Sequence, residues 1–99
     1  MLSSKNRAAL RKAANGLSPV FQIGKGGVDA PLIQATADCL AKRELVKLKL
    51  LETSPVPARE AAEELAAATG AEVVQVIGRV VVLFLQKKKE SAFAEVLKP

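Results

Sequence analysis

The residues best suited to chemistry are Gly24-Lys25-Gly26-Gly27 and two groups of cations, Lys5, Arg7, Arg11 and Lys12 near the start and Lys47 and Lys49 at mid-chain. Glycines let the main chain take positive φ and approach a ligand with no Cβ in the way. Placed between a strand and a helix, such a loop offers a phosphate both its amide N–H groups and the positive end of a helix dipole. Bond-making chemistry has little to work with. The chain has no His, and Cys39 is its single cysteine, which removes imidazole acid/base steps, Cys/His zinc sites and an intramolecular disulfide. Its ten carboxylates are dispersed without an acid/base or metal-binding grouping. Cys39 therefore reads as a buried small hydrophobe, no enzyme activity is expected, and no cofactor, metal or small-molecule substrate is implied.

The glycine loop is not a nucleotide fingerprint. Gly24 and Gly26 are followed by Val28 and Asp29 where a G-x-G-x-x-G motif needs its third glycine, and the Gly-Lys-Ser/Thr ending of a P-loop is missing. It fits G-x-x-G, the pattern with which KH-type modules clamp a nucleic-acid backbone. The same glycines would equally serve as a plain turn into the next helix. Asp29, if it caps that helix, also repels a phosphate, leaving Lys25 to offset it. A loop that grazes a sugar-phosphate backbone fits this balance better than one that engulfs a mononucleotide.

Ninety-nine residues, 49% hydrophobic and 25% charged, give one globular domain spanning residues 1–99. The net charge is +5, and it is uneven: residues 1–50 sum to +6 and residues 51–99 to −1, with no acid in the first 28 positions. That distribution favours a polyanionic partner. Neither a spanning apolar stretch nor a signal-like N-terminus is visible, so a cytoplasmic protein without membrane contact is expected.

The elements that must position these residues follow from periodicity. Ser3 or Ser4 caps a first helix with an apolar stripe of Leu10, Ala13, Ala14 and Leu17, ending near Asn15-Gly16, and Lys5 and Lys12 share its opposite face. Val20 to Ile23 is a first strand. Asp29 and Pro31 open a second helix running to Arg43, with Leu32, Ile33, Thr36, Cys39 and Leu40 inward and Lys42 and Arg43 suited to its C-terminal dipole. In Leu45 to Leu51, Val46, Leu48 and Leu50 alternate with Lys47 and Lys49, which predicts a strand whose lysine face lies open. Ala58, Ala61, Ala62, Leu65 and Thr69 line a third helix closed by Gly70, and Glu72–Ile77 and Val80–Gln86 form a hairpin around Gly78-Arg79, with the second run an interior strand. Lys87 to Lys89 then reads as a solvated strand end, and Phe93, Val96 and Leu97 as a docking turn. The order α-β-α-β-α-β-β predicts an α/β (α+β) domain: a two-layer sandwich with a four-stranded mixed sheet and its helices on one face.

Four ordered segments together resemble the CRM domain in its stand-alone bacterial form, the YhbY family. They are Leu17-Ser18-Pro19, Gln22-Ile23-Gly24-Lys25-Gly26-Gly27, Arg43-Glu44-Leu45-Val46-Lys47 and Val74-Gln75-Val76-Ile77-Gly78-Arg79. The resemblance implies a fold like the C-terminal domain of translation initiation factor three. It also implies an RNA-binding module associated with precursors of the large ribosomal subunit; in plants, related domains act in intron splicing. Carried over by position, the family's loop falls on Gly24 to Gly27, its basic first helix on Lys5, Arg7, Arg11 and Lys12, and the basic position of its second strand on Lys47. Where relatives often carry Tyr-Arg late in the last strand, this chain has Phe84 followed by Leu85 and Gln86.

The residues themselves indicate how such a module would read its partner. Phe21, Phe84 and Phe93 are the only aromatics and look like core, so a platform that stacks single-stranded bases is not expected. Contacts from Lys, Arg and amides to phosphates and 2′-OH groups read RNA shape more than base identity. A monomer bound to ribosomal RNA in large-subunit precursors is the leading expectation. An adaptor for an acidic protein surface and an Alba-like nucleic-acid-binding protein are the alternatives.

Overall fold

The computed structural model describes residues 4–85, in which seven elements follow one another. They are α1 (Ser4–Ala14), β1 (Phe21–Ile23), α2 (Ala30–Arg43), β2 (Leu45–Leu50), α3 (Ala58–Thr69), β3 (Glu72–Ile77) and β4 (Val80–Phe84). The order is the expected one. No helix among the described residues is long and apolar enough to cross a membrane. Lys87 to Lys89, Phe93, Val96 and Leu97 lie outside the described residues.

The four strands form one mixed sheet in the order β1-β2-β4-β3. β1 runs parallel to β2, with Gln22 opposite Lys49 and Ile23 opposite Leu50. β4 pairs antiparallel with both β2 and β3 and is therefore interior, as its apolar run requires. The β3–β4 link has Gly78 at φ +56° and Arg79 outside the positive-φ region, the distribution a type II′ turn needs. A bulge at Val74 shifts β3 by one residue against β4, since Val73 faces Leu83 while Gln75 faces Val82.

Strand alternation sends side chains into two separate cores. Val46, Leu48, Leu50, Val81 and Leu83 pack with Ile23 under α2 and α3, meeting Leu40, Ala61, Ala62 and Leu65. Their neighbours Leu45, Val82, Phe84 and Val74 point the other way and are covered by Leu10 and Ala14 of α1. The two-layer expectation with all helices on one face is thus corrected: α1 crosses the face opposite α2 and α3. The physical reason lies in β4, where Val82 and Phe84 alternate with Val81 and Leu83, so both faces of the central strand need cover. Leu17, expected in the α1 stripe, falls beyond the helix and is exposed.

Local chemistry fixes the helices on the other face. Asp29 accepts a hydrogen bond from the Leu32 amide at 3.0 Å and so caps α2, with Pro31 in the first turn. Lys42 and Arg43 occupy the last turn, and Glu44 closes the helix at φ 67°, an uncommon conformation for a non-glycine residue. Gly70 ends α3 in the left-handed region at φ 80°. The small residues Ala61 and Ala62 are fully buried, which lets α3 approach β3 and β4 closely.

Candidate nucleic-acid interface

The glycine loop sits at the C-terminal end of the edge strand β1, where the chain turns into α2. The Gly27 amide donates to the Gly24 carbonyl at 2.9 Å, closing a tight turn with Lys25 and Gly26 exposed at its tip. Gly27 itself is buried at φ +62°, and a Cβ there would stand 3.1 Å from the Pro55 ring. The turn is therefore braced from below by the β2–α3 connector. Gly26 lies against Asp29: a Cβ on it would meet Oδ2 at 3.0 Å while Oδ1 holds the helix cap. The carboxylate that orders the entry to α2 thus places a negative charge beside the exposed amides.

One step back along the sheet, Lys49 is exposed on the face that carries α1, in a row with Gln22 and Val80, and Val80 pairs in turn with Ile77. Ile77 is 60% exposed. α1 covers Leu45, Val82, Phe84 and Val74 and leaves this Gln22-Lys49-Val80-Ile77 row open, with Gly24 continuing directly from its edge strand. Two residues of strand put Lys49 about 7 Å along the sheet from the first glycine. The sequence pattern assigns Gln22, Val80 and Ile77 no binding role, although Gln22 pairs with Lys49 and shares its exposed face.

Lys47 behaves differently from its expected open-face role. It is half-buried, and its ammonium donates to the carbonyls of Ala14 at 3.3 Å and Leu17 at 3.2 Å. Those carbonyls belong to the end of α1, where orphan acceptors and the negative end of the helix dipole favour a cation. Lys47 therefore anchors α1 to β2. On α1, Lys5 and Lys12 are exposed, while Arg7 and Arg11, one turn apart, are half-buried along the rim of the Leu10-Ala14 stripe.

Lys5, Arg7, Arg11, Lys12, Lys47 and Lys49 accordingly belong to one face of the sheet, with Lys25 and Gly24 to Gly27 at its β1 edge. α3, carrying exposed Glu60, Glu63 and Glu64 with Arg59, lies on the other face. The α1 face sets its cations against Glu72 beside Phe84, whereas the other face sets Glu60, Glu63 and Glu64 against Arg59, Lys42 and Arg43, so the α1 face attracts a polyanion more strongly. Of the aromatics, Phe84 is buried under α1 and Phe21 is half-buried against the α2–α3 core. Cys39 is half-buried against the same core.

The family model of the CRS1 / YhbY (CRM) domain matches residues 2–84. Over 89 residues the chain is 37% identical to Probable RNA-binding protein YqeI of Bacillus subtilis, covering 90% of this chain and 93% of that protein. It is 38% identical over 85 residues to Probable RNA-binding protein MJ0652 of Methanocaldococcus jannaschii, covering 84% of this chain but only 63% of that protein. The solution structure of SAV1595 from Staphylococcus aureus superposes with a TM-score of 0.78 at 40% identity, covering 92% of this chain and 95% of that one.

Proposed function

This chain belongs to the CRS1 / YhbY (CRM) domain family, and from that premise we propose that it is a non-catalytic RNA-binding protein whose α1 face meets structured RNA. The observation that carries the reading is the placement of four cations of α1 and two of β2 on one sheet face, with an exposed glycine turn at its edge. Two relatives bear the name of RNA-binding proteins, which supports the same partner class. We further propose that the RNA is ribosomal, within precursors of the large subunit, and that the protein acts there as a cytoplasmic monomer. Lys5, Arg7, Arg11, Lys12, Lys25 and Lys49 would neutralise phosphates. Lys25, Gly26 and their amides would touch the backbone at the loop.

If four to six phosphates are neutralised, log K against log salt should fall with a slope of roughly −3 to −5. A slope near zero would end the electrostatic reading. Lys25→Glu should weaken binding to all RNAs alike with the fold intact, because phosphate contacts carry no sequence information. Crosslinking in cells, followed by sequencing of the attached RNA, tests the ribosomal assignment. Reads spread over messenger RNAs, or association with precursors that resists RNase, would remove it.

A further inference from the structure

Beside β1 and the segment that leads into it the structure holds a groove that borders the α1 face at Lys47 and runs on toward α2. It consists of two adjoining depressions of about 470 and 420 Å³ that share Val20, Lys42 and Arg43. The second has an apolar floor from Phe21, Ala35 and Cys39. Among the described residues β1 is an edge strand with no neighbour on this side. We propose that this groove is a subsite for a short single-stranded segment of RNA, its bases against the floor and its phosphates at Lys42 and Arg43. The proposal rests on the RNA-binding reading above and adds a second, chemically distinct contact to it.

Topology carries the inference. The second depression lies between β1 and α2, the same two elements that the glycine turn joins, and the first continues it past Val20 to Lys47 of β2. β1 leads from the groove to the turn, and α2, 14 residues long, returns from the turn to Lys42 and Arg43. The turn and the cation pair thus stand about 20 Å apart at opposite ends of α2. A backbone touching Lys25 and Gly26 can continue along β1 and meet Lys42 and Arg43 without leaving the surface. That path suits about four nucleotides, the length a G-x-x-G module clamps.

The floor decides the form of the RNA. A duplex keeps its bases stacked and offers phosphates and 2′-OH groups, for which Phe21, Ala35 and Cys39 have no use. Unstacked bases present apolar faces and lose less by leaving water for such a floor. The cations have a local role as well, since both sit in the last turn of α2 and favour its dipole. That role does not require a groove beside them. Asp38 lines the groove too, but its Oδ1 accepts from Gln34 Nε2 at 3.0 Å, one turn back toward the glycine loop.

The test compares an unstructured oligouridylate with a blunt RNA hairpin, using the full chain and the exposed double variant Lys42→Gln/Arg43→Gln. Two lost single-strand phosphate contacts should reduce the salt slope by about 1.4 for the oligouridylate, at roughly 0.7 per phosphate, and leave the hairpin slope unchanged. The unique thiol gives a second readout: saturating oligouridylate should slow maleimide reaction at Cys39, and the hairpin should not. Equal effects on both RNAs, or none on either, would overturn the subsite while leaving the α1 face intact. If the unaltered protein binds neither RNA, the RNA-binding reading fails first and the subsite with it. Protection of Cys39 by an oligoglutamate peptide and not by RNA would assign the groove to an acidic protein segment instead.

Discussion

The ammonium of Lys47 lies 3.3 Å from the carbonyl oxygen of Ala14, the last residue of α1, and so ties the basic helix to the strand that carries Lys49. A second hydrogen bond, to Leu17 at 3.2 Å, holds the chain as it leaves that helix. Two lysines that look equivalent in the alternating run Leu45 to Leu50 therefore have different work. Lys47 spends its charge inside the protein, and Lys49 offers its charge to solvent.

The two lysines should separate in a paired experiment. Lys47→Met removes charge-assisted hydrogen bonds and is expected to lower stability by about 1–2 kcal/mol, read from the urea midpoint. Lys49→Met, exposed, should stay within about 0.5 kcal/mol of the parent. Binding should show the reverse order in its salt dependence. Losing Lys49 should reduce the slope by about one, as expected for a phosphate contact, whereas losing Lys47 should weaken binding with the slope unchanged. A slope that falls equally for both would make Lys47 a phosphate contact through its remaining N–H.

Leu10 tests the second core. It is fully buried between α1 and the side chains of Leu45, Val74, Val82 and Phe84, and α1 has no other fully buried large residue. Leu10→Ala should destabilise by about 2–5 kcal/mol. Because the α2–α3 core lies across the sheet and shares none of these side chains, the loss should concentrate on α1. Hydrogen exchange of residues 4–14 should accelerate well beyond that of β2 and β4. Uniform acceleration across the chain would mean that the two cores unfold as one unit.

What the sequence made legible was mostly local. The Asp29 cap, the Gly70 stop, the Gly78-Arg79 hairpin and the strand alternation each depend on neighbouring residues, and each stands where the pattern put it. The placement of α1 was missed because it depends on pairing. Lys47 and Lys49 make β2 look open on one side, and only the interior position of β4, with Val82 and Phe84 on that side, demands a helix there. The partners of Lys47 lie 33 and 30 positions away in sequence, with no local signal to announce them. The Lys42-Arg43 groove was hidden for a similar reason, since the pair already suits a helix C-terminus.

The loop glycines are predicted to be unequal. Gly27 has φ +62° and would place a Cβ 3.1 Å from the Pro55 ring, so Gly27→Ala should lower stability by about 1–3 kcal/mol. Gly24 is outside the positive-φ region, and its Cβ would reach Leu51 and Thr53 at 3.4 Å, an ordinary contact. Gly24→Ala should therefore melt close to the parent. Comparable losses of melting temperature in the two variants would show that the turn is not braced by Pro55 in the way described.

Asp29 performs two tasks that a single substitution can divide. Its Oδ1 caps α2, and its Oδ2 lies beside Gly26, where the charge opposes any phosphate at the tip of the turn. Asn is as good an N-cap as Asp, so Asp29→Asn should leave stability nearly unchanged, while Asp29→Ala should lower it by about 1 kcal/mol. Both remove the charge. At the distance of a loop-bound phosphate, a charge pair in a mostly aqueous setting is worth about 1 kcal/mol, so each variant should bind RNA several-fold more tightly at low salt, with the gain fading as salt rises. Fluorescence titration at two salt concentrations measures this directly. Unchanged affinity in both variants would mean that no phosphate comes near the turn, and the RNA path would then have to be confined to α1 and the Lys49 row.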